Sequence, residues 1–280
     1  MNPGAAVLYV PADNERALAK ALHTDASALI FDLEDAVAPA VKDRAREMLR
    51  AAWARKFDRP RGIRINGIDT PRFTDDLLLA RKLMPDAIVL PKVERAADLA
   101  TIEAALAETD AGADLRIWAM IETPLGVLNV TDIAAHGGRL AGLVLGSNDL
   151  IAALGASGDG ARTHLDRARL DVVLATRAHG LIALDGVTNA LRDEAMVERE
   201  ARAASALGFD GKTLIHPAQI EPTLRAFLPT DDEVRDSRAV VAAFEAAPDD
   251  AGAATVNGRL VERLHLAAAR RVLSRIGDPE

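Results

Sequence analysis

Eight short apolar runs, each closed by polar residues and separated from the next by a helical pattern, constrain this chain more than any other feature. They are Ala6–Val10, Ala28–Asp32, Gly62–Ile65, Ala87–Leu90, Arg116–Ile121, Gly142–Leu145, Leu181–Leu184 and Lys212–Ile215. Runs this short and this apolar read as strands buried on both faces of a parallel sheet. Between them, Asn14–Leu22, Thr74–Leu83, Ala96–Leu106 and Asp193–Leu207 carry helical patterns rich in Ala and Leu. Thr131 reads as the cap of a turn reaching His136, and Gly208 as the glycine that ends the Asp193 helix. Eight alternations predict an α/β fold, a (β/α)8 TIM barrel. An open doubly wound sheet usually has fewer strands and often a Gly-rich first turn.

After Phe227 the alternation stops. Pro229 to Asp232 signals a turn, a helix is expected to about Ala247, a hairpin over Ala254–Leu260, and a last helix to Ile276. The expected division is a barrel over residues 1–227 and a C-terminal extension over 228–280, helical in the main, acting as lid or oligomerisation arm.

Composition narrows the chemistry. The chain has 280 residues and no cysteine, which removes disulfides, thiolate-ligated metals and a thiol nucleophile. With 34 basic and 42 acidic side chains the net charge is −8, a poor balance for nucleic-acid binding. Aromatics are only 3%, so the core is built from Ala, Leu, Val and Ile. No run approaches the ~18 apolar residues of a membrane span, and the N-terminus lacks a signal peptide's pattern, so a cytoplasmic location is expected.

In a barrel the chemistry sits where strands end. Glu122 closes the fifth run and Asp149 follows the sixth, so the two carboxylates are positioned to face each other. Two carboxylates with open positions suit Mg²⁺, Mn²⁺ being the other candidate. The plainer reading is a helix cap and a salt-bridge partner. Arg64 ends the third run at the same level. Its planar fork suits a substrate carboxylate or an enolate oxygen, while the plainer reading pairs it with Asp32, Glu34 or Asp35. His216 is the one histidine at a strand end, and a structural role outweighs a catalytic one. The glycines from Gly155 to Gly160 follow a helical stretch and read as a mobile loop. No GxSxG occurs, which leaves an α/β-hydrolase mechanism without support.

The ordered segments LYVPADNERALAKAL, ALIFDLEDAVAPAVKDRAR, IRINGIDTP, IVLPKVE, MIETPLGVLN, LVLGSNDL, ALDGV and GFDGKTLIHPAQI resemble the signatures of the citrate lyase β-subunit-like and malyl-CoA lyase family, within the HpcH/HpaI aldolase superfamily. The tail ATVNGRLVERLHLAAARRVL resembles that family's C-terminal segment. The resemblance implies a barrel with an extension, assembled as a homotrimer or hexamer. It implies an Mg²⁺-dependent carbon–carbon lyase that splits a 3-hydroxyacyl-CoA such as malyl-CoA, citramalyl-CoA or β-methylmalyl-CoA into an acyl-CoA and glyoxylate or pyruvate. Glu122 and Asp149 are then the metal ligands and Arg64 the substrate arginine. Asp35 lines the site as a catalytic acid, and Arg16, Lys20 and Asn14 contact the CoA thioester.

Where the family places an extension Asp, this chain has Glu262, read either as the acid/base or as a solvated helix-start acid. Two further departures are Asn148, where many relatives carry a second acid, and the first loop PADNER, where many have Gly after the Pro and Arg in place of Asn14. The alternatives are a malyl-CoA thioesterase, a citrate lyase β subunit acting on a carrier-protein thioester, and a non-catalytic barrel scaffold.

Overall fold

The computed structural model describes residues 3–55, 57–107, 115–157, 162–248 and 251–276. The chain divides into two compact units, Met1–Leu224 and Arg225–Glu280.

The first unit is a closed barrel of eight parallel strands in sequence order: β1 Ala6–Pro11, β2 Ala28–Asp32, β3 Arg61–Arg64, β4 Ala87–Leu90, β5 Arg116–Ile121, β6 Leu140–Leu145, β7 Ile182–Asp185 and β8 Gly211–Leu214. Helices follow each strand, among them Glu15–Ala21 after β1, Phe73–Leu83 after β3 and Glu194–Leu207 after β7. This is the TIM barrel expected from the alternation. Gly208 ends the last of these helices with φ 107°. The cap expected at Thr131 is instead Asn129, because the chain forms two short helices, Pro124–Leu128 and Val130–Ala134, that meet there.

Side chains alternate across each strand with period two. The inward set is Val7 and Tyr9 from β1, Ala28 and Ile30 from β2, Ala87 and Val89 from β4, Trp118 and Met120 from β5, Val144 from β6 and Leu184 from β7. All are buried, and each large one contributes roughly 1.5–3 kcal/mol. The same alternation carried one step further brings Asp32, Arg64, Glu122 and Gly146 to the next layer. Register completes the placement: Asp32 lies opposite Arg64 in the β2/β3 ladder, and Ile121 opposite Leu145 in the β5/β6 ladder.

Outward-facing Asp185 and Lys212 are fully buried between the barrel and its helices. Lys212 Nζ donates to Asp185 Oδ2 at 3.2 Å and to the carbonyl of Gly186. Arg162 and Arg169 also pair with Asp185, at 2.5 and 3.4 Å. Burial pushes Lys212 down to about 8 against the pull of Asp185, so the pair is ionised at neutral pH.

In the second unit, Thr230 caps the helix Asp231–Glu245 in a box with Glu233. A hairpin follows, β9 Ala253–Val256 and β10 Arg259–Glu262, joined at Asn257 and Gly258, and then the helix Arg263–Ser274. Among the described residues no helix is long and apolar enough to cross a membrane. The stretch from Gly155 to Gly160 lies partly outside the described residues.

Candidate active site

At the C-terminal ends of the strands lies a pocket of about 230 Å³. Tyr9 and Met120 belong to its floor; Arg64, Asp32, Asp35, Glu122 and Asp149 line it.

Arg64 is held on two sides. Its Nε donates to Asp32 Oδ1 at 2.7 Å and its Nη2 to Asp32 Oδ2 at 2.5 Å, a bidentate clamp across neighbouring strands. Nη1 stands 3.2 Å from Glu34 Oε2, and the guanidinium carbon lies 4.7 Å from the centre of the Tyr9 ring. Burial disfavours the charged guanidinium, but Asp32 and Glu34 outweigh it, and Arg64 stays charged. Asp32 also accepts from the backbone of Glu34 at 2.9 Å and Ala36 at 3.1 Å. All four of its acceptor directions are engaged.

Glu122 is 1% exposed. Oε1 accepts from the backbone N–H of Lys92 at 2.8 Å, whereas Oε2 is buried without a hydrogen-bond partner. Burial first, then the charge of Asp149, pushes its carboxyl up to about 7. Asp149 sits in the first turn of the helix Ser147–Ala153, which starts where β6 ends. Five carboxylates (Asp32, Glu34, Asp35, Glu122, Asp149) gather here around two cations, Arg64 and Lys92. A buried, unpaired carboxylate oxygen beside a second carboxylate fits a divalent cation that takes one or two protein carboxylates and completes its shell with water and substrate oxygens. Among the described residues no group of three or more His, Asp or Glu converges as a ready-made cage.

The sequence-expected residues separate clearly. Arg64, Asp35, Glu122 and Asp149 come together. Arg16 and Lys20 are exposed on the helix Glu15–Ala21 and are not among the pocket residues. Asn14 is the cap of that helix, its Oδ1 accepting from Ala17 N at 3.0 Å. Glu262 is an exposed residue of the second unit, at the start of the helix Arg263–Ser274, with its backbone N–H donating to His265 Nδ1 at 2.9 Å. His216 caps a short turn by accepting from Ala218 N at 3.1 Å, the structural role favoured from sequence.

Sequence reasoning passed over two contributors, Tyr9 and Gly146, and took Lys92 only as one of the polar residues that follow β4. The inward position of Tyr9 in β1 was readable from the alternation. Gly146 is a close-approach glycine, with a Cβ there falling 2.3 Å from Glu122 Cβ and Oε2. The part played by Lys92 had no signal in residue type.

The likeness to known proteins runs over nearly the whole chain. The HpcH/HpaI aldolase/citrate lyase family matches residues 5–217. A (3S)-malyl-CoA thioesterase of Cereibacter sphaeroides is 43% identical, over 98% of this chain and 95% of its own. The citrate lyase subunit beta of Escherichia coli K12 is 34% identical, over 96% and 92%. Among solved structures, CitE of Mycobacterium tuberculosis in complex with magnesium, acetoacetate and coenzyme A superposes with a TM-score of 0.84 at 32% identity, covering 99% of this chain and all of that one. A citrate lyase beta subunit from the same organism, complexed with oxaloacetate and magnesium, gives 0.71 at 34% identity, over 82% of this chain and all of that one. Barrel, extension and matched motifs place this chain in the HpcH/HpaI aldolase/citrate lyase family.

Proposed function

We propose that the chain is an Mg²⁺-dependent enzyme acting on a malyl-type 3-hydroxyacyl-CoA, cleaving it into an acyl-CoA and a small α-keto acid. The observation that carries this reading is the unpartnered, buried Oε2 of Glu122 beside Asp149, in the same pocket as a clamped arginine. Glu122 and Asp149 would hold the Mg²⁺, which supplies Lewis-acid polarisation of substrate oxygens when bound. Mn²⁺ would fit the same oxygen donors.

Arg64 presents its Nη1 edge to the negative oxygen that develops as the carbon–carbon bond breaks, and Asp32 keeps that edge from turning. Apolar Leu145, Val187 and Ile215 in the pocket wall lower the local dielectric and strengthen both contacts. Asp35, exposed at the rim, orients the incoming substrate. Arg16 and Lys20 would meet CoA phosphates from the helix after β1. The substrate hydroxyl gives up its proton as its carbon becomes the keto carbonyl, and the enolate carbon takes one up; Glu262, on the family resemblance, would be the acid/base in that exchange in an oligomer of this chain, a homotrimer or hexamer.

A second reading is hydrolysis of the malyl-CoA thioester. It is favoured by the 43% identity to malyl-CoA thioesterases over almost the full length, against 34% for the citrate lyase subunit. The test is a panel of malyl-, citramalyl- and β-methylmalyl-CoA scored for keto acid and for free CoA, with and without Mg²⁺. Keto acid released in step with substrate loss, and lost on chelation, is the expected result. Free CoA without keto acid makes the thioesterase reading correct, and no Mg²⁺-dependent turnover of any thioester removes both.

A further inference from the structure

Among the described residues, three non-glycine residues have left-handed backbone: Met84, Lys92 and Asn257. Two have ordinary local reasons. Met84 closes the helix Phe73–Leu83, and Asn257 sits in the two-residue turn between β9 and β10. Lys92 does neither. It lies between β4 and the helix Ala96–Ala107 with φ 53°, a conformation a long L side chain rarely adopts.

The surroundings hold it there. Val93 N, the next residue, donates to Met120 O at 3.2 Å, and a Cβ at Gly126 would come within 2.5 Å of Val93 O, so the neighbouring chain is closely fitted. In that conformation Lys92 reaches two carboxylates closely, by two different groups, with Asp35 Oδ1 farther off at 3.9 Å from its ammonium. Its backbone N–H meets Glu122 Oε1 at 2.8 Å, and its ammonium meets Glu34 Oε1 at 2.6 Å. Glu34 in turn approaches Arg64 Nη1 through its other oxygen, at 3.2 Å. Glycine would adopt this φ without strain, yet it could not reach Glu34. A strained residue whose side chain is engaged points to a use for both halves.

We propose that Lys92 is the positioning residue of this site, its backbone orienting Glu122 so that Oε2 stays free, and its ammonium sharing Glu34 so that Arg64 keeps an open edge for an anion. Without the ammonium, Glu34 belongs to Arg64 alone and competes with the anionic ligand for Nη1. Lys92 is not itself among the pocket residues, so it acts through its two carboxylate partners. This inference rests on the reading of Glu122 as a metal ligand and Arg64 as an anion site.

Three variants separate the two halves. Lys92→Gly keeps the left-handed backbone and loses the ammonium, Lys92→Val disfavours that backbone and loses the ammonium, and Lys92→Arg keeps the charge. The readouts are calorimetric binding of Mg²⁺ alone, binding of oxaloacetate at saturating Mg²⁺, and melting temperature. The side chain of Lys92 is 47% exposed, so all three variants are expected to fold.

Mg²⁺ affinity should be unchanged in Lys92→Gly and weaker by roughly tenfold in Lys92→Val, the order of one charge-assisted hydrogen bond. Oxaloacetate affinity should fall roughly tenfold in both and recover to within about threefold in Lys92→Arg. Equal Mg²⁺ affinity in the Gly and Val variants overturns the proposal, as does wild-type oxaloacetate affinity in Lys92→Gly. A merely structural role would move both affinities together with the melting temperature. If the wild-type protein binds neither Mg²⁺ nor oxaloacetate, the functional reading itself falls and this inference with it. Wild-type binding with unaltered variants sinks this inference alone.

Discussion

Gly146 and Glu122 stand side by side at the ends of neighbouring strands, so close that a single methyl group at position 146 would lie 2.3 Å from both Cβ and Oε2 of the glutamate. The backbone N–H of Gly146 donates to Ile121 O at 3.0 Å, which fixes this approach in the barrel ladder. Space for the carboxylate therefore comes from a residue that contributes no side chain.

Gly146→Ala should displace Glu122 while leaving the barrel folded. Overpacking of this kind costs about 1–3 kcal/mol. Mg²⁺ affinity should drop roughly 10- to 100-fold, the range seen when a ligand loses its supporting contacts. Calorimetric titration beside circular dichroism checks both; unchanged affinity would remove the steric argument.

Metal binding should depend on pH through Glu122. Its carboxyl titrates at about 7 in the metal-free protein, so below that value a proton must leave when the ion binds. Apparent Mg²⁺ affinity should rise up to about tenfold per unit as pH climbs towards 7, then level off. Proton release measured in buffers of different ionisation enthalpy reports the same event.

The stability of the metal-free protein carries the opposite sign. Folding raises this carboxyl from 4.5 to about 7, so the native state holds its proton where the unfolded chain has released it. Stability from this group is complete below pH 4.5 and is lost as pH rises to 7, by an amount on the order of 3 kcal/mol. Glu122→Gln cannot titrate and should be the more stable protein at pH 8 in the absence of metal, as measured by denaturant unfolding.

Arg64→Lys should retain the fold and Mg²⁺ affinity within a few-fold, yet lower turnover at least ~100-fold. A lysine cannot reproduce the two-pronged contact with Asp32 and leaves no fixed donor towards the substrate. Turnover within tenfold of wild type would show that the clamp is dispensable.

Asp185→Asn removes the carboxylate shared by Lys212, Arg162 and Arg169. Glu200 stays within 3.7 Å of Lys212 and 3.1 Å of Arg162, so the loss should lie at or below the roughly 3–5 kcal/mol of a fully uncompensated buried charge, on the order of 10 °C in melting temperature for a chain this size. Asp185→Asn with Lys212→Met should recover part of that loss, because the fully buried ammonium that had lost its nearer carboxylate goes with it.

Much of this architecture was open to reading from residue order. The strand expected at Arg116–Ile121 is β5 to the residue, because apolar alternation and a terminal acid coincide there. β6 begins two residues before the expected Gly142, since Leu140 pairs with Ile117 across a shift in register that no local pattern announces. β8 ends at Leu214, one residue early, because the N–H of Ile215 turns to the side chain of Gln219. Polar strand-end residues also divide by partner. Asn66 is spent on Asp76, and Asp185 on Lys212, while Asp32, Arg64 and Glu122 reach the pocket. Type and position were legible, and so was the pairing of Arg64 with Asp32 and Glu34; the remaining long-range partners and the backbone angle of Lys92 were not.

Asp32 offers four lone-pair directions and receives four donors. A guanidinium gripped along one edge by so fully engaged a partner cannot swing to meet ligands from different sides. In the proposed reaction the approach of an anionic substrate is then restricted to one flank, and two mirror-image hydroxyacyl groups would place their hydroxyls differently relative to Glu122. If that reaction is the right one, selection between mirror-image substrates would begin in a pair of adjacent strands, Asp32 on one and Arg64 on the other.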